Sequence, residues 1–276
     1  MITGANSGIG KCIAKEIAQR GGTIHLVCRN PTTANEAKLE IIKETENENI
    51  HVHILDLSCS SSVAKFARDF SENHDTLTVL INNAGCMINT RELNEDGFEK
   101  NFATNTLGTH LLTNGLMPLL KRSSNPRVVI VSSGGMLVQR LDKDDLQFEK
   151  LKPFDGTMAY AQNKRQQVVM TEQYSKMYPG VHFSSMHPGW ADTPAVRSSM
   201  PDFYEKMKNK LRSPYQGADT ALWLAISSAA LNEESGRFFQ DRKAVATHLP
   251  LAFTKVSPSD EEAFMNLLDE IAAKYK

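Results

Sequence analysis

Three glycines near the start, Gly4, Gly8 and Gly10, constrain this chain most, because they run straight into helical apolar spacing at Ile13, Ala14, Ile17 and Ala18. Glycine accepts backbone angles closed to other residues, so residues 3–10 read as a sharp turn from a strand into a helix. With no side chains in the way, amides at that helix start can approach a phosphate, which the positive end of the helix also attracts. The spacing is not the common G-x-G-x-x-G form, so that pattern does not settle the reading. An ordinary turn uses glycine in the same way, and only further motifs separate the two.

Short apolar runs at 23–28, 50–55, 78–81, 128–131 and 181–186 alternate with stretches of helical spacing, among them a long one predicted over 98–120. Such runs between helices indicate parallel strands covered on both faces, which predicts an α/β fold: a doubly wound, Rossmann-like parallel sheet in a single domain, 1–276. Ligands in these sheets bind beyond the carboxyl ends of the strands. The chain places Arg29, Asp56, Leu57, Asn82 to Gly85, Ser133, Pro188 and Gly189 at those ends, and unrelated turns would not gather on one rim. Arg29 stands where an NAD-binding chain usually carries an acid for the ribose hydroxyls. A guanidinium suits a 2′-phosphate instead, so NADP(H) is expected in preference to NAD(H). A solvated arginine at a strand end is the plainer alternative.

Tyr160 and Lys164 stand four residues apart. On a helix this spacing puts both side chains on one face, and a cation close to a phenol favours the phenolate. The pair is therefore a candidate proton-transfer device, although alone it is a common surface pair.

Taken in order, Thr3-Gly4, Gly8, Gly10, Asp56-Leu57, Asn82-Asn83-Ala84-Gly85, Asn105, Ser132-Ser133, Tyr160 with Lys164, and Pro188-Gly189 resemble the short-chain dehydrogenase/reductase family from residue 1 to about residue 240. The resemblance implies that Tyr160 exchanges a proton with the substrate oxygen while hydride passes to or from the nicotinamide. Ser133 would hydrogen-bond that oxygen, Lys164 would hold the nicotinamide ribose, and Asn105 would hold a water that connects Lys164 to solvent. Gly4, Asn6, Ser7, Gly8, Ile9, Gly10, Arg29, Asp56, Leu57, Asn83, Ala84, Gly85, Tyr160, Lys164, Pro188, Gly189 and Thr193 would bind the dinucleotide.

Residues 134–159 form an insertion similar to that of retinol-dehydrogenase-like members and are expected to edge the pocket. Residues 190–212 are expected to form a substrate lid, with an apolar set of Trp190, Val196, Met200, Phe203, Tyr204 and Met207 that suits a small lipophilic carbonyl or alcohol. Packing of a helix face would use the same residues. His187 reads as a structural imidazole. The segment 236–239 is expected to be the seventh and last strand, which in relatives supports a homodimer or homotetramer. Residues 260–275 are expected to form an amphipathic helix capped by Ser259.

The 31 basic and 32 acidic residues give a net charge of −1, which offers nucleic acid no general attraction. Cys12, Cys28, Cys59 and Cys86 lack a C-x-x-C pair and read as small apolar fillers in a reducing compartment, hence a cytoplasmic expectation. His51 and His53 share a strand face without a third ligand nearby in sequence, so no metal is expected. No long apolar run indicates a membrane span. Only Met1 and Ile2 precede Thr3, where the family's first strand is longer; the expectation is a shortened first strand that leaves ladder groups on both neighbours unpaired. That keeps a second reading open, a non-catalytic dinucleotide-binding or scaffold protein.

Overall fold

The computed structural model describes residues 1–275. Its centre is one eight-stranded sheet in the order β3-β2-β1-β4-β5-β6-β7-β8. The strands are β1 (Ile2–Thr3), β2 (Ile24–Cys28), β3 (Ile50–Ile54), β4 (Val79–Asn82), β5 (Arg127–Val131), β6 (His182–Met186), β7 (Arg237–Gln240) and β8 (Lys243–Val245). The first seven are parallel, and β8 turns back antiparallel on β7. The strand at 237–240 is therefore not the last. Asp241 and Arg242, both at positive φ, reverse the chain into β8.

Helices cover both faces. On one side lie α1 (Gly8–Ala18), α2 (Pro31–Thr45) and, later in the chain, the helix at 214–226, joined in one apolar cluster by Ile13, Ala14, Ile41, Ala221 and Leu224. On the other lie α3 (Ser60–Asn73), the helical stretch at 100–121, and helices at 156–177 and 258–272, which share Val63, Phe102, Leu112, Val169, Tyr174 and Phe264. Sheets buried on both faces need strands without a polar side. Strand β5, with all five residues buried, meets that demand.

Strand β1 is short but paired on both sides. Ile2 pairs with Leu26 and Ile81, and Thr3 with Val27. The Met1 amine donates to Val79 O at 2.8 Å, and Ile81 N donates to Met1 O at 2.9 Å. The first strand is thus short, as expected, and the backbone groups of Met1 to Thr3 pair with both neighbours over its length.

The stretch 98–120 is not one helix. It runs as α4 (Lys100–Phe102), a π-helical turn Ala103–Leu107, α5 (Gly108–Gly115) and α6 (Met117–Lys121). Gly108 sits so close to the β3–α3 connection that a Cβ there would come within 2.3 Å of Leu57 O. A π-turn inserts an extra residue and releases backbone groups from the ordinary ladder. Next come α7 (Gly156–Met177), α8 (Pro194–Ser199), α9 (Pro201–Met207), α10 (Pro214–Ile226) and α11 (Pro258–Ala272). Ser257, not Ser259, caps α11: its hydroxyl accepts from Asp260 N at 3.1 Å, with Pro258 in the first helical position.

Candidate active site

At the carboxyl ends of β1 to β6 opens a cleft of about 550 Å³, lined by the glycine turn, Arg29, Asp56, Leu57, Asn83, Ala84, Gly85, Ser133, Tyr160, Lys164, Pro188, Gly189 and Thr193. Of the residues singled out for chemistry or cofactor, Gly10 and Asn105 do not line it. They act from behind. A Cβ on Gly10 would lie 2.5 Å from both Asn83 Nδ2 and Gly4 O, so only glycine lets α1 start this close to the β4 rim. The rim itself is knitted by Thr3, whose Oγ1 accepts from Asn83 N at 3.0 Å and Ala84 N at 2.9 Å, while Asn83 Nδ2 donates to Thr3 O at 2.8 Å.

Ser7 caps α1 in extended conformation without a side-chain bond to it, leaving the start of the helix to the cleft. Arg29 follows β2 and makes no hydrogen bond or ion pair among the described residues, so a free guanidinium faces the same rim. Asp56 Oδ1 is engaged by Ser58, accepting from its N and Oγ. Thr193 Oγ1 accepts from Val196 N at 3.3 Å and starts α8.

Tyr160 and Lys164 both stand on α7, a helix capped by Asp155, whose carboxylate accepts from Thr157 N and Met158 N. The Lys164 Nζ lies 5.2 Å from the centre of the Tyr160 ring. Lys164 is 2% exposed and donates to Val131 O at 2.8 Å and Gln167 Oε1 at 3.0 Å. Burial draws its amine down to about 8. Burial also pushes the Tyr160 phenol upward. The spacing alone suggested that the cation would favour phenolate; in this pocket desolvation outweighs it.

Ser132 fixes α7 to β5, its hydroxyl donating to Lys164 O at 2.9 Å. Ser133 begins the turn Gly134–Val138, and its Oγ accepts from Gly135 N at 3.3 Å. His187, at the end of β6, steadies that turn: its Nδ1 accepts from Gly134 N at 2.9 Å. Accepting at Nδ1 requires the neutral ring, and burial holds this imidazole down at about 4.

Asn105 lies in the π-turn, fully buried. Its side chain accepts from Cys86 N at 2.9 Å and donates to Cys86 O at 2.8 Å and Asn163 Oδ1 at 3.2 Å. Its backbone carbonyl accepts from Gln167 Nε2 at 2.7 Å. Gln167, Asn163 and Cys86, which the sequence reading did not single out for the site, are the partners of Asn105 here. The sequence signal for the first two was a run of amides, Asn163, Gln166 and Gln167, on a helix otherwise buried through Val168, Val169 and Met170. Cys86 is no core filler; it is half-buried and lines the cleft beside Met87, as Cys59 is half-buried at the start of α3.

From the insertion at 134–159, Gly135 and Thr157 line the cleft. From the segment 190–212, expected as a lid, Trp190, Val196 and Met200 do so; Phe203 instead packs on Trp190, ring centres 4.4 Å apart, and Tyr204 lies under Arg197. Away from the cleft, β-sheet register brings His25 beside His51 and His53, with His74 at right angles. No group of three or more His, Cys, Asp or Glu among the described residues is arranged to hold a metal ion. None of the described helices is long and apolar enough to cross a membrane.

The short chain dehydrogenase family model matches residues 1–142. Human dehydrogenase/reductase SDR family member 12 is 59% identical over 276 residues, covering all of this chain and 86% of that protein. Human retinol dehydrogenase 11 is 37% identical over 245 residues, 87% of this chain and 76% of the relative. Among solved structures, a short chain dehydrogenase of Shigella flexneri complexed with NADP is 25% identical with a TM-score of 0.69, over 86% of this chain and 94% of the other.

Proposed function

This chain belongs to the short chain dehydrogenase family, and from that premise we propose that it interconverts a lipophilic carbonyl and its alcohol with NADP(H). The observation that carries this reading is the meeting of Tyr160, Lys164 and Ser133 in one cleft with the glycine turn and Arg29.

The residues fit a phosphorylated dinucleotide. The crowded Gly10 leaves a backbone cradle at the start of α1, and the unpaired Arg29 offers a fork for a 2′-phosphate where an acid would favour a ribose diol. When bound, NADP(H) supplies or removes the hydride. The rest is done by side chains. A phenol pushed upward by burial keeps its proton near neutrality, which suits Tyr160 to donate to a carbonyl oxygen in the reducing direction. Ser133 gives the same oxygen a second donor as charge grows on it. Lys164, anchored beneath, holds the ribose side of the nicotinamide.

Substrate class is argued from the cleft wall. Met87, Trp190, Val196 and Met200 offer an apolar face with few fixed polar groups, which favours lipophilic ligands. Relatives named as retinol dehydrogenases, at 35–37% identity, take their name from an apolar alcohol.

Thermal shift with each of the four nicotinamide dinucleotides, followed by turnover of a series of aliphatic and aromatic aldehydes, tests the proposal. NADPH should stabilise the protein more than NADH, and Arg29→Ser should reduce that preference roughly tenfold to a hundredfold, the size of one charge-assisted contact. Silence toward all four would favour the scaffold reading, and a preference for NADH would contradict the role of Arg29.

A further inference from the structure

Behind the reacting face of Lys164 lies a polar seam between α7 and the π-turn, made of Asn105, Thr106, Asn163, Gln166 and Gln167, each at most 1% exposed. Polar side chains so deep are held only because they satisfy one another. Thr106 Oγ1 donates to Gln166 Oε1 at 2.6 Å, and Asn163 Nδ2 donates to the same oxygen at 3.2 Å. One member of the seam touches the lysine. Gln167 Oε1 accepts from Lys164 Nζ at 3.0 Å while its Nε2 donates to Asn105 O at 2.7 Å.

This amide therefore joins the ammonium to the carbonyl that the π-turn presents. The carbonyl of Asn105 also takes Thr109 Oγ1 at 2.9 Å, so both of its lone pairs are engaged. An amide passes a proton only by becoming an imidic acid, a costly tautomer, so the contact suits holding rather than relaying. Val131 O takes a second ammonium hydrogen from the end of β5, which leaves one hydrogen for the cleft.

We infer that Gln167 is a positioning residue for Lys164: its carbonyl holds the ammonium at the floor of the cleft, and its amide locks that carbonyl to the helix bearing Asn105. The inference rests on the proposed function for its meaning in catalysis, but not for its test. The other titratable groups facing Lys164 are Tyr160 on its own helix and Cys86 from the segment after β4.

The test follows the Lys164 amine by NMR of labelled lysine side chains in the dinucleotide-free protein, with Lys164→Arg identifying the resonance. Gln167→Met deletes both bonds at nearly constant volume, and the titration midpoint of Lys164 should fall by about one pH unit, the equivalent of one charged hydrogen bond. Gln167→Glu keeps the acceptor toward Lys164 and adds charge while losing the donor to Asn105 O, so the midpoint should rise although the lock to that helix is gone. In turnover, kcat should fall about tenfold in Gln167→Met and recover in part in Gln167→Glu, which keeps the hold on Lys164 but not the lock to Asn105, with the pH profile moving in the direction of each midpoint. Melting curves identify a variant that does not fold, in which case the other variant decides. Midpoints unchanged in both folded variants overturn the inference. A wild-type protein that turns over no carbonyl rejects the proposed function instead, and the Lys164 titration still decides the role of Gln167.

Discussion

The glycine rim and the α8–α9 side of the cleft, which the proposed function gives to dinucleotide and substrate, are built by different means. On the rim, Thr3, Asn83 and Ala84 are tied through backbone groups and short side chains at 2.8–3.0 Å, with no space for a Cβ on Gly10. On the substrate side, α8 and α9 bury none of their residues. They are tethered at few points, by Arg212 N to Trp190 O at 2.8 Å, Asp192 N to Arg212 O at 2.9 Å, and Asn89 Nδ2 to Ser199 O at 3.3 Å. A ligand of fixed shape can be met by backbone, which is rigid and hard to vary. A variable ligand is met by side chains on a segment whose local opening costs little.

The largest way to break this contrast is Gly10→Ala. The new methyl meets Asn83 Nδ2 and Gly4 O, neither of which can withdraw without opening the rim, so about 1–3 kcal/mol of stability and most dinucleotide affinity should be lost. Calorimetric titration and thermal melting measure both. Unchanged NADPH affinity would mean that the rim is not rigid.

A smaller effect is expected across the cleft. Phe203→Ala removes the ring on which Trp190 packs, and KM for a lipophilic aldehyde should rise roughly threefold to tenfold while NADPH affinity stays constant. Equal losses in both would show that the two sides are one unit.

Acid sharpens the comparison further. His187, which steadies the Ser133 turn, is depressed by burial from 6.5 to about 4; His25 and His53, far from the cleft, are depressed to about 3 and about 4 for the same reason. Between pH 6.5 and about 4 the unfolded chain binds more protons than the folded one, so stability falls as pH drops through that window. The melting temperature should be level above that window and decline within it. In His53→Phe the decline should be shallower, whereas binding of NADPH should be untouched. A level melting temperature throughout would contradict these burial effects.

The rim was legible in the sequence because its signals are backbone signals. Glycines, apolar runs and the residue after each run mark strand ends without knowledge of packing, which is why Gly4, Gly8, Arg29, Asp56, Ser133 and Pro188 could be placed on one edge. Other features depend on what arrives from elsewhere in the chain. Strand β8 is three residues long after a reversal through Asp241 and Arg242, with no glycine or asparagine to announce it. The π-turn at Ala103–Leu107 keeps helical spacing on both sides, and the close approach of Gly108 to Leu57 O beside it is a tertiary contact. His25 joins His51 and His53 only through strand register. The partners of Lys164 were hidden for a related reason: Gln167 looks like any helix amide until α7 is laid against Asn105. Likewise, the pairing of the Met1 amine and carbonyl with Val79 and Ile81 is a tertiary fact that the sequence does not announce.

The most direct measurement compares wild type with Tyr160→Phe in a single turnover of bound NADPH by a lipophilic aldehyde, followed by the loss of reduced-nicotinamide absorbance. The wild-type protein should oxidise the cofactor, and the variant should do so roughly a hundredfold to ten-thousandfold more slowly while binding NADPH with the same affinity. Equal rates in the two proteins would contradict a proton passing through this phenol, and with it the account of the cleft.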